Sequence, residues 1–462
     1  MEPPFDIAAD LDTPVSTFLK LGPLRPRFLL ESVERGAHLA RYSFLGFGEA
    51  LEFRLDEKGM HYGDVSLPRP GSQDELLNAL RDALAQTPKL LPEVEDLPFS
   101  GGLVGAAGYD IVRYFERLES PPAGNTGPQP PQAAYVGTES LLVFDHLTRR
   151  IALLHAGSEA ARQELIDNVR KLLAGPLPEI RSGSYVKATP SLTADEYKQR
   201  VEDAKQFITS GDIYQIVLSV RFGGKHALHP FECYRALRLL NPSPYMFYCD
   251  LGDLQLVGSS PEALVRLHGS TASLRPIAGT RPRGADAAED RANEQSLLAD
   301  EKEIAEHVML VDLARNDLGR VARGGSVHVN PYQSIEHYSH VMHIVSGVQG
   351  ELREDCDAFD LFAAAFPAGT LVGAPKIRAM QLIDELEPVS RGVYGGTVGY
   401  FANNGDMDQA IAIRSLFFQG DQYYYQAGAG IVADSQPDYE HKEVLAKSEI
   451  LRRALDMAEK GL

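Results

Sequence analysis

The stretch Tyr423–Lys460, "YYYQAGAGIVADSQPDYEHKEVLAKSEILRRALDMAEK", changes its pattern at one proline. Tyr423 to Asp434 reads as a strand. From Asp438 onward apolar and charged residues recur at the helical period, which predicts a long amphipathic helix. A strand running into a long helix makes the chain mixed α/β.

The same mixture extends upstream. "DEKEIAEHVMLVDLARNDLGRVA" (300–322) predicts a second long amphipathic helix. "TADEYKQRVEDAKQFITSGD" (193–212) starts on a Thr cap with acidic residues behind it and stops at Gly211. "IYQIVLSVRF" (213–222) and "QLVGSS" (255–260) read as strands. Up to about residue 175 the pattern is of short apolar strands broken by Gly and Pro, such as "FLLESV", "ARYSFLGFG", "SLLVFDH" and "RIALLHAG". "SPPAGNTGPQPPQ" (120–132) predicts an exposed loop, and "AGPLPEIRSGSYVKATPS" (174–191) a linker. Two regions are expected, 1–175 and 190–462, packed as one intimate unit with the chemistry in the second.

Composition narrows the function. The 462 residues are 44% hydrophobic and 24% charged, with a formal net charge of −19. No apolar run reaches membrane-spanning length, the start "MEPPFDIAADLD" is acidic, and Cys233, Cys249 and Cys356 form no CxxC pair. A reducing, cytoplasmic compartment is expected, with no membrane partner. The acidic balance disfavours nucleic acid. A small anionic substrate would need a local cluster of arginines or a metal.

Such a cluster occurs in "LRPIAGTRPRG" (274–284), where Arg275, Arg281 and Arg283 crowd what reads as a short turn around the inert Ala278. Two acidic pairs stand nearby in pattern. Glu303 and Glu306, and Glu440 and Glu443, are spaced i, i+3, so each pair projects from one side of its helix. Mg²⁺ takes one or two carboxylates plus waters and substrate oxygens, which the pairs suit. A solvated helix face is the commoner use of such a pair. His337, His340 and His343 invite a zinc reading, but residues three apart on a strand point to opposite faces and no HExxH accompanies them. "GTLVGAPK" lacks the ending of a phosphate-binding loop, and "YGGTVGY" lacks the glycine order of a dinucleotide site.

Taken in order, "PIAGTRPRG", "DEKEIAEHVMLVDLARNDLGRV", "YSHVMHIVSGVQGEL", "GTLVGAPKIRAMQLIDELEP", "YGGTVGYF", "IAIRSL" and "QAGAGIVADSQPDYEHKEVLAKS" resemble the chorismate-utilising enzymes. The likeness runs from about residue 190 to 455, and "FLLESVERGAHLARYSFLG" extends it to the N-terminal region. It implies a layered sandwich of two large, mainly antiparallel sheets with helices outside.

The resemblance also implies roles. Glu306 and Glu443 match ligands of Mg²⁺, with Glu303 and Glu440 beside them. Glu262, in "SSPEAL", matches the general acid that protonates the departing C4 hydroxyl of chorismate, a task for a carboxyl held neutral. Arg414 and Tyr394 match the grip on the enolpyruvyl carboxylate. Gly279, Thr280, Gly428, Ala429 and Gly430 match backbone contacts to substrate, Thr370 and Lys447 further pocket positions, and His343 the histidine near the ring.

Family members that add water carry a lysine where this chain has Gln215, and those that form a covalent intermediate carry one at Ala278. With neither basic, the resemblance implies ammonia as nucleophile and anthranilate plus pyruvate as products, at the head of tryptophan biosynthesis. No glutaminase motif is present, so ammonia is expected from a separate glutamine amidotransferase subunit in a hetero-oligomer. "LLES" and "NPSPYM" resemble the two halves of a tryptophan feedback site, at Ser32 and at Pro244, Tyr245 and Met246. The chain itself has no tryptophan. Three other readings stand beside this one. They are an aminodeoxychorismate synthase without the lysine, isochorismate or salicylate formation, which Gln215 disfavours, and a non-catalytic sensor of chorismate or tryptophan.

Overall fold

Two long strands, Tyr42–Asp56 and Ala133–Asp145, decide the architecture. They pair antiparallel along their length, from Tyr42 opposite Asp145 to Leu55 opposite Ala133. The register shifts between Phe47 and Ala50, where Gly48 takes φ +89°, a conformation open to glycine. There the long pair joins two arms of one continuous hydrogen-bonded sheet, 21-stranded among the described residues, and the two arms pack face to face as the two sheets of a sandwich. The computed structural model describes residues 4–33, 41–118, 129–180, 183–337 and 341–462. Residues 120–128 of the proline-rich stretch, and His340, lie outside the described residues.

The first sheet continues from the long pair through Pro26–Glu31, Tyr245–Asp250, Leu254–Ser260, Ser415–Gln419 and Gln422–Ile431 to Gln215–Lys225. The second continues through Gly102–Ala107, Thr397–Ala402, Met407–Ile411, Ala263–His268 and Thr271–Leu274 to Val348–Glu351. Neighbours in both are antiparallel. Residues on either side of the 174–191 stretch share both sheets, since Pro26–Glu31 pairs with Tyr245–Asp250 and Gly102–Ala107 with Thr397–Ala402.

Between the sheets lies one buried cluster, with Phe28, Phe247, Leu256 and Phe417 from the first sheet and Val104 and Val398 from the second. Helices cover the outer faces with a larger cluster that includes Val444, Leu451 and Leu455 of Pro437–Lys460. The strand quoted first shows the period of two at work. Tyr424 faces the inter-sheet core, whereas Tyr423 and Tyr425 face the helical layer. A strand buried on both faces reads as a continuous apolar run rather than as an alternation.

The N-terminal region differs from the expectation of short strands. Its two long strands exceed a dozen residues, and helices Gln73–Ala85 and Glu159–Leu173 pack beside them. Each helix starts on a serine, Ser72 or Ser158, whose side chain accepts a hydrogen bond from the backbone three residues on. The second half of the chain follows its pattern closely. Helices Ala194–Thr209, with a Thr193–Glu196 capping box, Glu301–Gly319 and Pro437–Lys460 all form.

The arginine-rich stretch is a second difference. It is strand Ile277–Pro282 of a separate three-stranded sheet with Val341–Val345 and Ser334–His337. This small sheet has its own core of Leu297, Met342 and Ile344. A bulge between Ala278 and Thr280 puts Gly279 at φ +72°.

Candidate active site

The cleft between the small sheet, the long helices and the end of the first sheet gathers the expected residues. Glu262 follows strand Leu254–Ser260, and its backbone carbonyl accepts from Ile411 N at 3.0 Å. Its carboxylate accepts a hydrogen bond from Thr370 Oγ1 at 3.1 Å. Glu262 keeps some accessible surface because it faces the cleft, yet protein crowds it, and burial pushes its pKa up to about 7. The Thr370 hydroxyl and the charges of Arg414 and Lys447 only partly offset that rise.

Arg414 stands close enough for its charge to act on Glu262. It has φ +49°, a left-handed conformation unusual outside glycine, and its carbonyl accepts from Ser259 N at 3.2 Å. Burial lowers its pKa and the Glu262 charge opposes this. Its guanidinium has no hydrogen-bond or ion-pair partner among the described residues. A half-buried arginine with no hydrogen-bonded acid suits an anionic ligand.

The glycines of strand Gln422–Ile431 let side chains approach its backbone. A Cβ on Gly428 would meet Leu218 O at 2.8 Å and the Tyr394 hydroxyl at 2.9 Å, and one on Gly430 would meet Gln215 Nε2 at 2.8 Å. Ala429, between them, is fully buried. Lys447 Nζ donates to Gly428 O at 3.1 Å and pairs with Glu443 at 2.7 Å. Burial raises the pKa of Tyr394, so it stays a hydrogen-bond donor.

The glutamate pairs face one another across two helices. Gln215 Nε2 donates to Glu306 Oε1 at 3.4 Å. Burial raises the pKa of Glu306, the Gln215 amide pulls it back, and the Glu303 and Glu443 carboxylates push it up again. Glu440 is buried, and burial followed by repulsion from Glu443 raises its pKa against the pull of Ser435. Among the described residues no three His, Cys, Asp or Glu side chains converge tightly enough to enclose a metal alone. Carboxylates that repel one another across a cleft still fit Mg²⁺, which needs one or two of them and completes its shell with water and substrate oxygens.

On the small sheet, His343 Nδ1 lies 3.0 Å from Gly279 O and 3.1 Å from Thr280 Oγ1. A carbonyl only accepts, so Nδ1 carries the proton and Nε2 is the basic nitrogen. Burial lowers the pKa of His343, which keeps the ring neutral. His337 sits on the neighbouring strand, paired with Glu294 at 2.7 Å.

The arginine cluster that could have served a small anionic substrate is taken up in ion pairs. Arg275 pairs with Glu336, Arg281 with Asp300 at 2.7 Å and Glu303 at 3.2 Å, and Arg283 with Asp290. All three tie the strand to neighbouring elements. Ala278 is buried opposite Ile344, where a small apolar side chain fits.

At the other end of the first sheet, Met246 pairs with Glu31, and Val33 N donates to Ser243 O at 3.0 Å. This brings Ser32 beside Pro244, Tyr245 and Met246. Tyr245 donates to Asp408 at 2.9 Å and accepts from Arg266 at 2.7 Å. Glu31 is buried against Tyr234 and Arg238.

The sequence reading missed two buried ion pairs. Lys376 and Asp317 meet at 3.1 Å beside a small cavity of about 50 Å³ that Glu262 and Thr370 also line. Glu387 and Arg391 form the second, at 2.7 Å. They stand four residues apart in the loop after helix Lys376–Leu386, where charged residues are ordinarily exposed.

A two-layered antiparallel sandwich joined by shared strands, with two acidic helices and a carboxyl of raised pKa near an arginine that has no hydrogen-bond or ion-pair partner among the described residues, defines the class. The family model for chorismate binding enzymes matches residues 25–453, and the chain belongs to that family. Its relatives include anthranilate synthase component 1 of Thermus thermophilus, 46% identical over 98% of this chain and 97% of that one. The corresponding protein of Acinetobacter calcoaceticus is 44% identical over 98% and 95%. Among solved structures, anthranilate synthase component I from Streptococcus pneumoniae superposes with a TM-score of 0.80 at 36% identity, covering 91% of this chain and 94% of that one.

Proposed function

We propose that the protein converts chorismate and ammonia to anthranilate and pyruvate through 2-amino-2-deoxyisochorismate, the first committed step of tryptophan biosynthesis. The observation that carries this is the pairing of a buried acid with two non-basic positions. Glu262 is held near neutrality, whereas Gln215 and Ala278 offer no side chain able to activate water or form an adduct. The nucleophile therefore arrives ready-made, as ammonia.

Arg414 and Tyr394 bind the enolpyruvyl carboxylate, with the Gly428 and Gly430 backbone beneath the substrate and Gly279 and Thr280 across from it. Ammonia attacks C2 as Glu262 gives its proton to the C4 hydroxyl, which leaves as water while the ring double bonds shift, and the ammonium formed at C2 releases one proton to solvent. His343 Nε2 then takes the C2 proton. Those electrons rearomatise the ring, the C3–O bond breaks, and the enolate of pyruvate leaves and is protonated. Glu306 and Glu443, with Glu303 and Glu440 behind them, would hold Mg²⁺. The ion would neutralise the ring carboxylate and stabilise charge as the hydroxyl departs.

The relatives' designation as component 1 supports a partner subunit, and a glutamine amidotransferase is the source of ammonia that fits. The Ser32 and Pro244–Met246 strand ends form the proposed tryptophan site, for feedback inhibition of a cytoplasmic hetero-oligomer. The purified chain with chorismate, Mg²⁺ and ammonium should release anthranilate and pyruvate in equal amounts. Chorismate loss without anthranilate would replace this reading by aminodeoxychorismate synthesis. Chorismate left intact by a folded chain would point to a sensor.

A further inference from the structure

Behind the pocket lies the most deeply buried charge pair described, and no step above uses it. Arg391 is 2% exposed, at the centre of a convergence of backbone groups. It donates to Leu371 O at 2.6 Å and Val217 O at 2.7 Å, and makes a two-point pair with Glu387 at 2.9 and 2.7 Å. Its guanidinium also lies over the rings of Tyr109, 4.8 Å away, and Tyr394, 5.7 Å away. Glu387 in turn accepts from Ser219 N at 2.9 Å and Ser219 Oγ at 2.7 Å.

Each group held this way is one step from a pocket residue. Leu371 follows Thr370, the partner of Glu262. Val217 and Ser219 lie opposite Gly430 and Gly428 on the adjacent strand. Tyr394 presses its hydroxyl against Gly428.

A buried charge pair stabilises a fold little more than apolar residues of the same volume would. What this one supplies is geometry. A planar fork with fixed donor directions ties a turn, a strand and a tyrosine ring into one frame, which a flexible ammonium could not do. We propose that Arg391, locked by Glu387, is a positioning residue that sets the Thr370 wall of the pocket against its Gly428–Gly430 floor, and so places Glu262 and Tyr394 relative to bound substrate. This rests on the reading of the pocket as the site of chorismate turnover. A displacement of about 1 Å in such a frame costs on the order of a hundredfold in rate.

The test compares Arg391→Lys and Ser219→Ala with the parent full-length chain, using chorismate, Mg²⁺ and ammonium across pH 6 to 9 and thermal melting of each protein. In folded Arg391→Lys, kcat/KM should fall about ten- to hundredfold, most of it in kcat. The alkaline limb of its kcat profile should also move upward, because a displaced Thr370 no longer favours ionised Glu262. Ser219→Ala removes the hydroxyl hydrogen bond to Glu387 but keeps that from the backbone N–H, leaves the guanidinium paired, and should show a smaller change of the same kind. Unchanged kcat and pH profile in folded Arg391→Lys would overturn the proposal. Should that variant fail to fold, a Ser219→Ala protein with parent kinetics would overturn it instead. A parent chain inactive on chorismate would fault the reading of the pocket, not the frame.

Discussion

Replacing Glu262 with Gln isolates the proton that the first stage needs. Gln keeps the volume and can still accept the Thr370 hydrogen bond, at 3.1 Å in the parent, so the pocket should hold its shape. What it loses is the transferable proton. General-acid catalysis is worth about 10²- to 10⁴-fold, so kcat should fall by that factor while substrate affinity changes little. A second consequence concerns stability. The Glu262 pKa rises from 4.5 to about 7 on folding, so the folded state holds this proton more tightly than the unfolded chain. The stabilisation is fully present below pH 4.5 and is lost as pH rises through about 7, since the carboxylate must then ionise inside the protein. The interval corresponds to about 3 kcal/mol at most, less for water in the cleft. Glu262→Gln removes that dependence. The variant should gain thermal stability relative to the parent at pH 8.5 and lose the gain at pH 5. Turnover by continuous anthranilate fluorescence and melting at both pH values would measure this. A variant with more than a tenth of parent kcat, or a melting difference independent of pH, would refute the assignment of Glu262 as a buried acid.

Three further outcomes follow from the same geometry. Arg414→Ala removes the unpaired guanidinium and should raise KM for chorismate about ten- to hundredfold, as expected for a charge-assisted hydrogen bond worth roughly 1.5–3 kcal/mol; an unchanged KM would place the anion elsewhere. Gly428→Ala should impair turnover more than Gly430→Ala, because the first Cβ meets backbone at Leu218 O and the second meets the movable end of Gln215, both at 2.8 Å; steady-state kinetics of the two variants would show the order. Lys376→Met strands the buried Asp317 carboxylate, which should cost about 3–5 kcal/mol in denaturant unfolding, and a loss below 1 kcal/mol would mean that water reaches the pair.

Much of the C-terminal region was legible in the sequence because its signals are local. Thr193 caps a helix through contacts three residues away, and Glu303 and Glu306 share a face because the helical repeat dictates it. The strand patterns at Gln215 and Tyr423 stand at those places for the same reason. The N-terminal region was read less well. Its serine caps at Ser72 and Ser158 carry helices that short apolar runs elsewhere in the region obscured. The stretch around Ala278 gave no periodic signal to separate a turn from a strand, and its conformation depends on pairing with Val341–Val345, over 60 residues away.

The sequence by itself determined which elements form and which residue types the chemistry requires, since propensity, capping and periodicity act within a few residues. Only the tertiary structure decided what each charge does. The sequence did not say which of Arg275, Arg281 and Arg283 touch substrate; the fold pairs each with an acid, whereas among the described residues the Arg414 guanidinium has no hydrogen-bond or ion-pair partner. Arg391 and Glu387 carry no local sign of burial, yet the fold pairs them out of solvent. A charge acts through its dielectric surroundings and the partners within a few ångströms, and both are set by chain segments far away in sequence.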